Sequence, residues 1–545
     1  MKSTKKLLAL LLSVMFLAGI LAGCGGGKTE PEKTEPEGGK TVAVSTDTFV
    51  VALDSDIVGL DPAFAYDFTT NPVLNQITQG LLTFDTDNQL QPLLAESWEQ
   101  VDDLTYTYQI RSDVVFSDGT PMTIDDVVFS MQRIMDDESA YMNWMYASVD
   151  KIEATGDWEV TVTLSVPDAT WQYVPATTAA HVLKKDFVEE TGDAFGQPEA
   201  GVIGTGPYVF VSYKSGDQAV LAANENYWGE DKGHFPNLIF KIITEDTTRV
   251  AALESGDVQA IIPAPASMMD RLAENENVTL STVSGFAVTF VAFNTEKEPF
   301  NDVKVRQAIA MAVDMEAIHE NLIGATGDAP TTLPSSAALF GEEEDRWQEY
   351  LDANPLPAYD VEAAKALLAE AGYADGFTCT LMVSEDTVRN NIALAIQQNL
   401  AEIGITVEIE RVNNDLHTAY QFGEADTLDA DGLRGYDMLM AGWEADFPDP
   451  SGNLLPLYQG GNSSNSAAYN NEEVTKLIND QLAESDLTAR NDMMFEALDI
   501  AIDETAYLFP FYPVKSIAMN SAYEGIVMSA SWIWNIHLQD VKPVG

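Results

Sequence analysis

Apolar residues along most of this 545-residue chain recur either at every second position or at every third to fourth, and the change of period outlines the elements. The stretch TFVVAL (48–53) reads as a strand running into a loop over 61–71. Asn71-Pro72 then predicts a helix with Asn71 as its cap and Pro72 at its first position, ending at Gly80. Alternation in ESWEQV, LTYTYQI and WEVTVTLSV, broken by Asp102-Asp103 and by an Asp118-Gly119 turn, marks the block 81–200 as sheet-rich and meander-like. Within it, Thr123-Ile124-Asp125-Asp126 predicts a capping box at the head of the helix IDDVVFSMQRIM.

Beyond residue 201 the rhythm changes. LIFKIIT, DTTRVAALESG and VQAII follow in the strand, helix, strand order of a crossover unit. From about 288 the pattern is plainly α/β: a helix in FNDVKVRQAIAMAVDMEAI, another from Asp360 to Gly372, the strand CTLMV, the helix TVRNNIALAIQQNLAEIG, and the strands ITVEIERV and YDMLMAGW (436–443). Strands separated by helices predict a mainly parallel sheet. In such sheets ligands sit beyond the carboxyl ends of the strands. Trp443 and Asp446, at the start of the loop EADFPDPSGN, are therefore expected to face a crevice, and the loop 61–71 to lie at the edge of the first domain.

The N-terminus departs from these patterns. Lys2, Lys5 and Lys6 precede an apolar run from Leu7 to Ala22, too short for a span and typical of an export signal. The run ends in Leu21-Ala22-Gly23-Cys24, which resembles the bacterial lipobox, so that Cys24 is expected to carry a diacylglycerol and become the mature N-terminus. Residues 24–42, rich in Gly, Pro and Glu, would then be an extended tether between membrane and body. With 86 Asp+Glu against 28 Lys+Arg the net charge is −58, which opposes nucleic-acid binding. Cys379, the second of two cysteines, sits in an alternating strand and reads as a core thiol.

Five stretches carry a family resemblance: LDPAFAYDFTTNPVLNQITQGLLTFD, LAESWEQVDDLTYTYQIRSDVVFSDGTPMTIDDVVFSMQRI, GTGPYVFVSYKSGDQAVLAANENYWG, AFNTEKEPFNDVKVRQAIAMAVD and YDMLMAGWEADFPDPSGNLLPLY. In this order they resemble the landmarks of the dipeptide- and oligopeptide-binding family of ABC-importer solute-binding proteins, over nearly the whole mature chain. The resemblance implies an α/β, two-lobed periplasmic-binding-protein-like fold of type II, with an extra domain in lobe I and a cleft between lobes joined by a two-crossover hinge. Its implied division is signal peptide 1–23, tether 24–42, lobe I at 43–80, 201–285 and 515–545, extra domain 81–200, and lobe II at 286–514. It further implies a monomer that is anchored by lipid only, captures di- or oligopeptides, and hands them to permease subunits driven by ATPase subunits. In the peptide binders of that family the carboxylate of a Trp-x-x-Asp motif pairs with the peptide α-ammonium; here the motif is Trp443 to Asp446. Arg389, on the helix after CTLMV, is the candidate partner of the peptide carboxylate, although the loop before it is shorter than in the family's dipeptide binders. Tyr66, Thr69 and Thr70 are the candidate lobe I contacts.

Catalytic patterns are missing. His181, His234, His319, His417 and His537 are scattered without metal-ligand spacing, no G-x-S-x-G occurs, and Ser148 to Lys151 lacks the companions an S-x-x-K nucleophile needs. The acidic stretch 427–438 has Thr427 and Met438 where a calcium loop needs Asp and Glu, so it reads as a turn. The sequence thus points to a binding protein without cofactor or metal. The same fold taking a nickel chelate, a sugar, an opine or glutathione is the alternative reading, ahead of a surface hydrolase or adhesin.

Overall fold

In a computed structural model, residues 45–65 and 67–545 are described, and these form one compact unit. The signal, Cys24, the tether and Tyr66 lie outside the described residues. None of the described helices is long and apolar enough to cross a membrane.

The body is organised by a single large sheet in which one strand serves two lobes. Tyr507–Asn520 pairs antiparallel with Ala287–Phe293 through its first half (Ala292 opposite Tyr507, Thr289 opposite Phe511). Through its second half it pairs with Val278–Ser284, from Ser284 opposite Val514 to Val278 opposite Asn520. The change of partner falls at Pro513 on one strand and at Gly285-Phe286 on the other, so two chain segments cross side by side between the lobes. This is the arrangement hinged closure requires.

On the lobe I side, Thr48–Leu53 is paired in parallel with both Asn237–Ile242 and Ala260–Ile262. On the lobe II side, Thr378–Val383 is parallel to Thr406–Arg411 and to Met438–Glu444. The expectation of a mainly parallel sheet is corrected here: Ala287–Phe293 runs antiparallel to both neighbours, and Gln218–Ala223 and Tyr208–Lys214 add an antiparallel edge. The physical reason is that Ala287–Phe293 follows Val278–Ser284 with only Gly285 and Phe286 between them, so the hinge crossing and not a helical crossover sets its direction.

The inserted sheet, in the order Ala95–Asp102, Thr105–Ile110, Glu159–Leu164, Val149–Gly156, is antiparallel throughout. Thr105–Ile110 alternates buried with half-buried or exposed positions, as a strand with one wet face must. The helix Ile124–Met135 covers its dry face, and the capping box at Thr123 and Asp126 is present with both reciprocal bonds. A second expectation fails: Asn71 does not cap a helix ending at Gly80. The helix spans only Thr70–Leu74, and the Asp67 carboxylate takes the amides of Thr69 and Thr70 at 3.0 and 2.7 Å, starting it earlier.

Cys379 is buried and free, its thiol pushed up to about 12 by burial, as for a core residue. Residues 427–434 form a turn in which the Asp429 carboxylate accepts the amides of Asp431 and Leu433 and pairs with Lys297.

Candidate functional site

The strand Met438–Glu444 carries the site to the lobe boundary. Its interior is buried on both faces, and burial relaxes over its last three residues, Gly442 to Glu444, which remain paired with the strand Ala287–Phe293. Gly442 has no side chain to offer, and the space is taken by Arg389: a β-carbon there would lie 2.7 Å from Arg389 Nη2. The helix Thr387–Glu402 delivers that arginine from its first turn, started by Asp386, whose carboxylate accepts the Arg389 amide at 2.7 Å.

The guanidinium of Arg389 makes no hydrogen bond or ion pair among the described residues, and its burial pushes it below the usual arginine range. His417 stands near it, itself held below its ordinary value by burial, and donates through Nε2 to the Met440 carbonyl at 2.9 Å. The Asp386 carboxylate acts on the Arg389 charge through space without forming an ion pair, and the neutral His417 ring and strand backbone lie around it.

Trp443 is occupied within its own lobe: its indole Nε1 donates to the Gly452 carbonyl at 2.9 Å and its edge meets Phe422. It therefore fixes the course of the loop that follows. Asp446 is half-buried on that loop, and its backbone carbonyl accepts from Trp534 Nε1 at 2.7 Å, a bond from the C-terminal part of lobe I. One residue on, Phe447 stacks on Tyr173 at 5.8 Å and lies 6.3 Å from Trp144, both in the inserted domain. Segment 444–447 is thus held from three sides.

Thr69 and Thr70, on the lobe I loop, have their hydroxyls engaged within lobe I. Both are buried; Thr69 Oγ1 is bonded to Ser55 Oγ, and Thr70 Oγ1 accepts the Val58 amide at 3.2 Å. Their hydroxyls shape the loop 61–71 from within lobe I.

Residues the sequence reading passed over gather in their place. Phe68, Tyr141 and Trp144 are 42, 63 and 47 % exposed, unusual for rings of this size. Each is within one contact of the loops in question: Phe68 stacks on Trp532 and lies under Lys515 Nζ at 4.4 Å, Tyr141 meets Phe64 edge-on, and Trp144 approaches Phe447. Glu444 and Lys515 form an ion pair of 2.6 Å between the end of the lobe II strand and the lobe I half of the crossing strand. No periodic signal distinguishes an exposed aromatic from a core one in MDDESAYMNWMY, which is why these were missed.

A two-lobed body, hinged by two crossing segments and presenting an unpaired arginine, an acidic loop and bare aromatic rings at the lobe boundary, defines a receptor that encloses a small solute. Residues 89–465 match the family of bacterial extracellular solute-binding proteins, family 5 Middle, and the chain belongs to that family. It is 30% identical to heme-binding protein A of Haemophilus influenzae, over 94% of this chain and 95% of the relative. It is 28% identical to the probable D,D-dipeptide-binding periplasmic protein of Escherichia coli, over 89% and 92% respectively. The structure of HbpA2 from Haemophilus parasuis superposes with a TM-score of 0.76 at 26% identity, covering 91% of this chain and all of that one. The fold is that of the periplasmic binding proteins, and the protein is a substrate-binding component of an ABC importer, not an enzyme.

Proposed function

We propose that the protein is a lipid-anchored receptor for short peptides, holding the α-ammonium at Asp446 and the α-carboxylate at Arg389, and delivering its cargo to an ABC permease. The observation that carries this reading is Arg389, a half-buried guanidinium that makes no ion pair among the described residues, packed on the strand whose next turn of chain bears Asp446. Asp446 lies four positions after Gly442, so the two backbone points are at most about 14 Å apart, the reach of a short extended peptide. Phe68, Tyr141 and Trp144 supply apolar surface for side chains of varied kind, and main-chain pairing supplies affinity without strict side-chain choice. Tyr66, between Ala65 and Asp67 on the lobe I loop, is proposed to complete that wall. Cys24 is proposed as the acylated anchor, and residues 24–42 as the tether.

The test is a thermal-shift panel. A di- or tripeptide with free ends should stabilise the protein by about 2.7 kcal/mol at a hundredfold excess over its dissociation constant. N-acetylated and C-amidated forms of the same peptide should each lose most of that gain. Equal stabilisation by the blocked forms would sink the two-ended reading. Heme, glutathione, nickel chelates, sugars and opines belong in the panel, since some relatives are named for other solutes. Mass spectrometry of the membrane-extracted protein tests the anchor through the diacylglycerol mass on Cys24.

A further inference from the structure

The loop after the strand Met438–Glu444 borders a second space. Pro448, Asp449 and Pro450 line a cavity of about 690 Å³ that none of Arg389, Trp443 and Asp446 touches. Its walls come from the inserted sheet, from residues 337–344 and from residues 482–491, and it lies beside the Ala169 N–H to Leu482 carbonyl bond of 2.8 Å that ties inserted domain to lobe II. The volume is that of an ordinary small-molecule site, about 300–1,000 Å³.

Its chemistry is one-sided. Trp98 and Tyr173 are half-buried rings in the wall, while Tyr106 and Phe340 line it at only 3 % exposure. Asp103 and Glu344 are carboxylates in the wall with no side-chain hydrogen bond or ion pair among the described residues. The one cation in the wall, Arg490, is fully engaged: its Nη2 donates to Asp449 at 2.8 Å and its Nε to Gln481 at 2.8 Å. Tyr106 is 3 % exposed, yet its hydroxyl has no hydrogen-bond partner among the described residues; the groups nearest it electrostatically, Asp168, Asp103 and Arg490, all line the same cavity. That hydroxyl opens into the cavity, where water or an occupant can bond to it.

We propose that this cavity is a second binding site, for an organic cation of the alkylammonium or alkylguanidinium class. Aromatic faces attract such a group, the unpaired carboxylates supply its counter-charge, and the Tyr106 oxygen accepts its hydrogen bond. An anionic solute is repelled by the same wall. Because the inserted domain and lobe II both contribute, an occupant would brace the junction between them.

Calorimetric titration of the full-length protein with agmatine, which carries one group of each kind, tests the site, with succinate as the anionic control. Saturable binding of agmatine and none of succinate is expected. The Asp103→Asn/Glu344→Gln variant, altering two exposed groups that bond to nothing, should weaken agmatine about fivefold or more and leave the melting temperature unchanged. Asp446→Asn should leave agmatine binding intact, which separates this site from the peptide cleft. An arginine-containing tetrapeptide titrated in parallel identifies the source: weakened by the double variant, it places a peptide side chain in the cavity; unaffected while agmatine is weakened, it points to a free solute. Absence of saturable agmatine binding, equal binding by wild type and double variant, or loss in Asp446→Asn would each overturn the proposal.

Discussion

Arg389 Nη2 occupies the space where a side chain on Gly442 would begin, 2.7 Å from the missing β-carbon. The glycine is required by this close approach and not by its backbone angles. An alanine there would also crowd the Val288 carbonyl at 3.0 Å, leaving the arginine as the softer neighbour to move. Gly442→Ala is therefore expected to displace the guanidinium and to weaken a free-carboxylate peptide by about tenfold, the scale of one charge-assisted hydrogen bond. Affinity for the C-amidated peptide should be unchanged, and isothermal titration of both peptides reads the difference.

Asp446 makes the complementary prediction at the other end. Replacing it by Asn removes the counter-charge of a desolvated ammonium and should cost about 2–5 kcal/mol of binding. An N-acetylated peptide, already lacking that charge, should lose far less. Unchanged affinity for the free-ended peptide would remove Asp446 from the site.

Behind the Asp446 loop, Arg490 and Asp449 form an ion pair with both side chains at most 4 % exposed, joined by Ser451. Burial by itself raises the Asp449 carboxyl, but the guanidinium and the Ser451 bonds bring it below the ordinary carboxylate value. Arg490→Met strands that carboxylate and should destabilise the fold by about 3–5 kcal/mol, measured by denaturant unfolding. Since the folded value lies below the unfolded one of about 3.9, the pair's contribution is complete above that pH and disappears as pH falls through the folded value. Acid unfolding of the wild type should therefore steepen below about pH 4, and that steepening should be absent in the variant.

His181 sets a different pH window. It is buried in lobe I with Nδ1 bonded to Thr78 Oγ1 at 2.7 Å, and burial pulls its value down to about 3. The unfolded chain takes up a proton near pH 6.5, while the folded one resists it. Stability is then full above about pH 6.5 and falls on acidification by up to about 1.4 kcal/mol per pH unit. His181→Gln should lower stability at pH 7.5 yet flatten its decline between pH 6.5 and 5, in melting curves compared at each pH. An unaltered slope would show that other groups carry the acid sensitivity.

Much of this was legible without coordinates. The capping residues Thr123 and Asp360 act locally, through side chains that reach amides two or three positions on, so their signals survive in a linear string. Strands such as Thr105–Ile110 announce themselves by period two for the same local reason. The loop 61–71 misled because Asp67, Asn71 and Pro72 all suit a helix start, and sequence does not rank competing caps.

The site divides along the same line. Linear order sufficed to mark Trp443 and Asp446 as the exit of a strand, and to show a chain without catalytic groupings. That the Arg389 charge lacks a partner, that Phe68, Tyr141 and Trp144 stand bare, and that Glu444 meets Lys515 are relationships between residues far apart in the chain. They exist only once the strand Tyr507–Asn520 has bound two lobes into one sheet, because desolvation and ion pairing depend on distances in space that no spacing along the chain encodes.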